Sequence, residues 1–469
     1  MNTKQNTALN KKLKIFLTVA LISLSAKAQQ VSTTMPYQDD KFACVTSQDA
    51  DRYVNDFGVN VSSFGGRELC DSKVEFKKLM NDFSLIEKGQ FATGQIGSTP
   101  NVFIKDFIPA NQYYTWMKSQ TRGVERGNDV PYATAYNSGG YFTMQDGWAK
   151  LSTLGRVGTV VHEARHTAGY THIPCTQGTY QGYNLNGCDS TYNYGGSHAI
   201  EMEYYARVSV LGTNFHPVYK KMARLMAIGR SNIFFNKPVI QKKESVMALS
   251  MDRQTAFVLT DNNQWVSKET PKVKGTLKRT SFGAVIFDLQ KAFAIDPYQN
   301  SGFSDVVEDV YSYFKLLGEA PAGLKDLEEY DQGVKRYVTK ISADDQIANF
   351  DFPNGAWGNS YKLPFVVAAT TTAVPSQPAI GYFLIQSTGV VSQYQPQTGR
   401  LNTLNTKWDF SNQKVILLNN ETLVLKNNGE IKKWNSETSQ VPWALAANLG
   451  LVSDLVSIPL YDGFKVVVE

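Results

Sequence analysis

Five histidines occur in this 469-residue chain, and three of them fall within VHEARHTAGYTH, residues 161–172. His162 and His166 stand four apart. On a helix that spacing puts both imidazoles on one face, one turn apart and within reach of a single cation. Glu163, next to the first histidine, projects to the side of the pair. From there its carboxylate can take a proton from a water on the cation and return it to a leaving group. Imidazole suits zinc, which prefers four ligands and keeps one position for water in catalytic sites. A third protein ligand is then needed. Gly169 tolerates a backbone conformation that other residues resist, so the chain can leave the helix there and bring His172 back toward the ion. The expectation is one Zn2+ per chain, bound by His162, His166 and His172, with Glu163 as general base.

HEARHTAGYTH resembles the HExxHxxGxxH signature of the metzincin zinc peptidases at every fixed position. The resemblance implies an α+β zincin-like catalytic domain acting on a protein or peptide substrate. It implies the same three zinc ligands, the same base, and Gly169 as the turn. Ile173 follows the third histidine, where the familiar subfamilies carry other residues, so the lineage is unnamed. Met202, the nearest methionine downstream, falls in a helical pattern rather than at a recognisable Met-turn.

A glutamate on a later helix is the rival third ligand, and SHAIEMEYYARV offers Glu201 and Glu203. The plainer reading makes these solvent-facing, or holders of a histidine. Tyr192, Tyr194 and His198 are candidates to stabilise an oxyanion, each weighed against simple packing. Arg165 reads as a solvent-facing or salt-bridge residue, and His216 as a surface histidine rather than a ligand. The leading function is a secreted zinc-dependent endopeptidase. Two alternatives stand beside it: a zinc amidase acting on cell-wall peptides, and an exported binding or adhesion protein with a non-proteolytic zinc site. An intact Glu163 argues against the last, because a structural zinc needs no base.

The elements that must position these residues are read from hydrophobic periodicity. A helix is expected over 71–88. Strands are expected at 102–108, 132–136 and 141–145, the last two joined by a turn at Asn137-Ser138-Gly139-Gly140. The strand at 141–145 is a candidate edge for pairing with an extended substrate. Residues 146–169 read as one helix or a broken pair, with Gly155 and Gly158 weakening the middle. A loop rich in Gly, Asn, Ser, Thr and Tyr follows His172. Helices resume at 198–211 and 217–228.

Beyond about residue 245 short β-rich runs meet at polar turns: 256–266, 284–295, 337–350, 381–394, 422–434 and 458–468. Gly389 and Gly429 are 40 apart and Gly463 follows, a weak repeat that suggests a β-propeller of five or six blades, with a β-sandwich as the plainer alternative. The expected division is therefore 1–28, 29–245 and 246–469. The last part is an all-β, propeller-like domain expected to bind a protein or cell-surface ligand.

Residues 1–28 carry five lysines, an apolar run and Ala26-Lys27-Ala28, the marks of a signal peptide cut after Ala28. A secreted or periplasmic location follows, with no membrane insertion once it is removed. Those lysines account for the whole formal charge of +5, so nucleic acid gains no support as a partner. Export permits disulfides. The short-loop pairing of the four cysteines is Cys44–Cys70 and Cys175–Cys188.

Overall fold

The computed structural model describes residues 34–461, apart from 37, 93–102, 131–132, 298–322 and a scatter of stretches of up to four residues. The segment 1–28, with its cleavage site, and Gly463 lie outside the described residues. Among the described residues seven α-helices come first: α1 Ser47–Phe57, α2 Glu75–Lys88, α3 Tyr113–Gln120, α4 Asp146–Ala149, α5 Thr153–Thr167, α6 Ser197–Leu211 and α7 Pro217–Ser231. From Lys242 onward the described chain is almost entirely β-strand.

The 146–169 region is thus a broken pair, and Ser152 explains where the second helix starts. Its hydroxyl accepts from the Gly155 amide, capping α5. One side of α5, including Leu154, Val157, Val160, Val161 and Ala164, is fully buried. Gly158 serves close approach rather than weakness. A Cβ there would overlap the Tyr205 hydroxyl of α6, so glycine lets the two helices pack. Arg156, fully buried on the same helix, is held by Asp82 and by Asp39, with contacts of 2.6 to 3.1 Å.

Three strands lie beside α5: β1 Gly123–Arg126, β2 Ala135–Ser138 and β3 Tyr141–Met144. Ser138 pairs with Tyr141 across the two-residue turn Gly139-Gly140, where φ is +60° and +96°. A turn with both central φ positive matches the twist of a hairpin and favours glycine. The edge strands are β1 and β2, not the expected 141–145. Strand β3 is central because β1, unread in the sequence, pairs with it in parallel on the other side. The expected strand at 102–108 is irregular where it is described. The amides of Lys105 and Phe107 donate to the Glu203 carboxylate, which replaces a strand ladder.

The described residues of the all-β part form five successive antiparallel sheets. They begin in turn with Val452–Tyr461, Thr276–Thr280, Leu324–Gln332, Val367–Thr371 and Asn412–Leu418. The first sheet contains the last strand: Val452–Tyr461 pairs along its length with Lys242–Ser250. This late strand therefore completes the sheet that starts the β region, and the part of the expected run 458–468 beyond Tyr461 lies outside the described residues.

Side chains from these five leading strands meet. Lys278 bonds Asp326 at 2.8 Å and also Glu328. Asp326 accepts from Thr370 and Tyr382, both at 2.7 Å. Lys414 bonds Asp454 at 3.0 Å, and Asp454 accepts from the Leu277 amide. Apolar clusters fill the space between neighbouring sheets, such as Tyr330, Ile341, Tyr382 and Leu384 between the third and fourth. Helix α7 joins this part through Leu225, packed among Val285, Phe287 and Leu327. Both expected disulfides are present, Cys44–Cys70 and Cys175–Cys188.

Candidate metal centre

His162 and His166 lie in the last turns of α5, which ends at Thr167. Gly169, at φ +90°, turns the chain away, and its missing side chain would meet nothing. Its requirement is therefore conformational, as the sequence implied. Three residues later His172 returns to the other two. A nitrogen from each of the three lies within 4.8 Å of the others, and the Nε2 atoms of His162 and His172 are 3.0 Å apart. Nitrogens bound to one tetrahedral zinc at 2.0–2.1 Å would be about 3.3 Å apart, so His162 and His172 already stand near ligand spacing.

The other nitrogen of each ring has its own neighbour. His166 Nδ1–H donates to the Tyr170 carbonyl at 2.5 Å, with Ser197 Oγ 3.1 Å from the same nitrogen. His172 Nδ1–H donates to Asp189 Oδ1 at 3.1 Å. His162 Nδ1 is 3.4 Å from Glu201 Oε2. Occupied Nδ1 atoms fix each ring and leave Nε2 as the free lone pair, the arrangement that histidine ligands use. Burial, with repulsion from the neighbouring imidazoles, lowers His162 and His166 to about 4, so both rings are neutral donors at ordinary pH.

Glu163 is buried, and its Oε2 has no hydrogen-bond partner. Burial first, and then the nearby Glu201 charge, push its carboxyl up to about 8. An unpaired buried carboxylate is costly unless a cation or a proton offsets it. The edge strand is tied to this segment: Asn137 Nδ2 donates to the Glu163 carbonyl and, at 2.8 Å, to Thr167 Oγ1.

The rival third ligands separate. Glu203 is not brought to the histidines. It is fully buried, pairs with Arg207 at 2.7 Å and accepts the Lys105 and Phe107 amides. Glu201 does come near, forming with His162 and His198 a second group of donors within 4.8 Å of one another. Its carboxylate is already bonded to Arg230 and, at 2.9 Å, to the Tyr205 hydroxyl.

Of the three candidate oxyanion helpers, only His198 joins the cluster. Its ring stacks on His172 at 4.4 Å and on Phe234 at 4.2 Å, and Nε2–H donates to the Gly187 carbonyl. It is buried, which suits packing better than contact with a substrate. The Tyr192 hydroxyl is committed to the Phe103 carbonyl, and Tyr194 stands exposed beside Tyr170. Arg165 is half-buried, its guanidinium 3.7 Å above the Tyr170 ring. His216, partly buried, accepts from the Val218 amide at the start of α7. Asp189 and Asn137 were missed in the sequence. The only available signal was that a ligand histidine needs an acceptor for its second nitrogen, which does not say which acceptor.

No family model matches the chain, and no curated protein does. Among solved structures, the WD40 β-propeller domain of Doa1 is 13% identical over 40% of this chain and 60% of that one, with a TM-score of 0.22. Apo AztD from Citrobacter koseri is 12% identical over 48% and 62%, with a TM-score of 0.23. BBS1N, in a complex with ARL6DN, is 8% identical over 47% and 66%, with a TM-score of 0.24. This chain thus spans less than two thirds of each, and likeness at that level carries no conclusion about fold or activity.

Proposed function

We propose that the chain is an exported zinc-dependent endopeptidase whose metal is held by His162, His166 and His172. One observation carries the reading: a nitrogen from each of three histidines converges within 4.8 Å while each Nδ1 has a polar neighbour, and Glu163, next in sequence to the first of them, is buried with an Oε2 that has no hydrogen-bond partner. All-nitrogen, neutral, closely spaced donors fit zinc. When bound, zinc supplies a Lewis acid for a carbonyl and for water.

The remaining steps belong to the chain's own groups. Glu163 takes the proton from the attacking water and delivers it to the leaving nitrogen. Strand β2, with one edge unpaired among the described strands, can align an extended peptide by main-chain hydrogen bonds. Asn137 fixes that strand's distance from the motif helix. Within this reading residues 29–245 form a zincin-like domain. The five sheets closed by Val452–Tyr461 form a five-bladed propeller that binds a protein or cell-surface ligand. Two disulfides agree with export. Among the described residues no helix is long and apolar enough to cross a membrane.

Metal removal is the test. The mature protein should contain one zinc per chain and digest denatured casein. A chelator should abolish digestion, and zinc should restore it. Digestion that survives full removal of the metal would end this reading.

A further inference from the structure

Resting on the reading that His172 is a metal ligand, we propose that Asp189 is a positioning residue that holds His172 and thereby sets the metal affinity. Each carboxylate oxygen has a distinct task. Oδ1 accepts from His172 Nδ1 at 3.1 Å, while Oδ2 accepts the amides of His198 and Ala199 at 3.1 and 3.3 Å. Those amides belong to the first turn of α6, where unsatisfied N–H groups and the helix dipole favour an anion. The carboxylate therefore bridges the return loop that carries His172 to the first turn of α6.

The main chain around it is equally fixed. The Asp189 amide donates to the Phe234 carbonyl at 2.9 Å, and its carbonyl accepts from the Asn236 amide at 3.0 Å. Asp189 is 2% exposed, and a Cβ at Gly196 would overlap its carboxylate, so position 196 leaves the room the carboxylate needs.

Charge separates Asp189 from the other histidine holders. His166 is held by a neutral carbonyl, and the charge of Glu201 is taken up by Arg230. Asp189 makes no ion pair with lysine or arginine among the described residues; its partner is the His172 ring. A cation on Nε2 makes Nδ1–H a stronger donor, so metal and carboxylate reinforce each other through the ring. The hairpin Ile173–Pro174 with Asn186–Cys188 joins His172 to Asp189, and Cys175–Cys188 closes it. Ligand and holder thus flank one disulfide-closed hairpin.

The experiment is a double-mutant cycle on zinc affinity, measured by competition with a chelator in the full mature chain. D189N should weaken zinc about 10- to 100-fold and alter the visible spectrum of the cobalt-substituted protein. In the H172A background D189N should add no further loss, because its effect runs through the missing ring. An equal loss in both backgrounds would mark Asp189 as merely structural, and unchanged affinity for D189N would also overturn the proposal. A wild type that binds no zinc, or an H172A variant that binds as tightly as wild type, would instead overturn the ligand reading beneath it.

Should D189N fail to fold, hydrogen exchange in the wild type decides. Added zinc should slow exchange at the His198 and Ala199 amides, and unchanged exchange with zinc bound would overturn the proposal.

Discussion

Glu201 and Glu203 sit two residues apart on α6 and face different neighbours, which separates a holder of a histidine from a helix-to-loop clamp. Glu203 is fully buried with Arg207, and removing one partner of such a pair leaves an uncompensated charge. E203Q should therefore lower stability by about 3–5 kcal/mol in urea unfolding, yet keep one zinc per folded chain. H172A should do the reverse, weakening zinc with little change in the stability of the metal-free protein. Loss of zinc in folded E203Q would contradict the ligand set. The motif residues were legible because four-residue spacing on a helix and one glycine turn are local facts. Asp189 was not, since its distance from His172 depends on a hairpin and a helix end that meet only in three dimensions.

Among the elements, α5 and the 173–189 loop divide the centre between a rigid and a tethered part. His162 and His166 ride on a helix buried on one side, and His172 stands just before the hairpin closed by Cys175–Cys188. Replacing that pair with serines should weaken zinc binding at least tenfold, on the scale seen when ligand-orienting groups are lost. Serines at Cys44 and Cys70 should lower stability alone. Chelator competition on both variants checks this, and equal zinc affinity in the two would argue against the tether. Helix α2 and the hairpin at 139–140 were readable from periodicity and a Gly-Gly turn. Strand β1 was not: four residues, GVER, become a strand only because β3 lies beside them.

Across the whole molecule, the leading strands of five sheets are joined by buried charges, with Lys278 between Asp326 and Glu328. K278M would leave two buried carboxylates without their cation. It should cost about 3–5 kcal/mol, read as a lower midpoint in chemical denaturation with an unchanged zinc content. A midpoint like that of the wild type would deny the network a stabilising role. The 40-residue rhythm of Gly389 and Gly429 was visible in the sequence, because both glycines occupy turns at positive φ. The closure was not, since Val452–Tyr461 pairs with Lys242–Ser250 some two hundred residues away.

The central claim concerns Glu163, the buried carboxylate beside three convergent imidazoles. E163A should keep one zinc per chain, because no ligand is removed, and should lose casein digestion by at least the 10²–10⁴-fold typical of a general base. An E163A protein that retains its zinc and digests casein like the wild type would contradict the account.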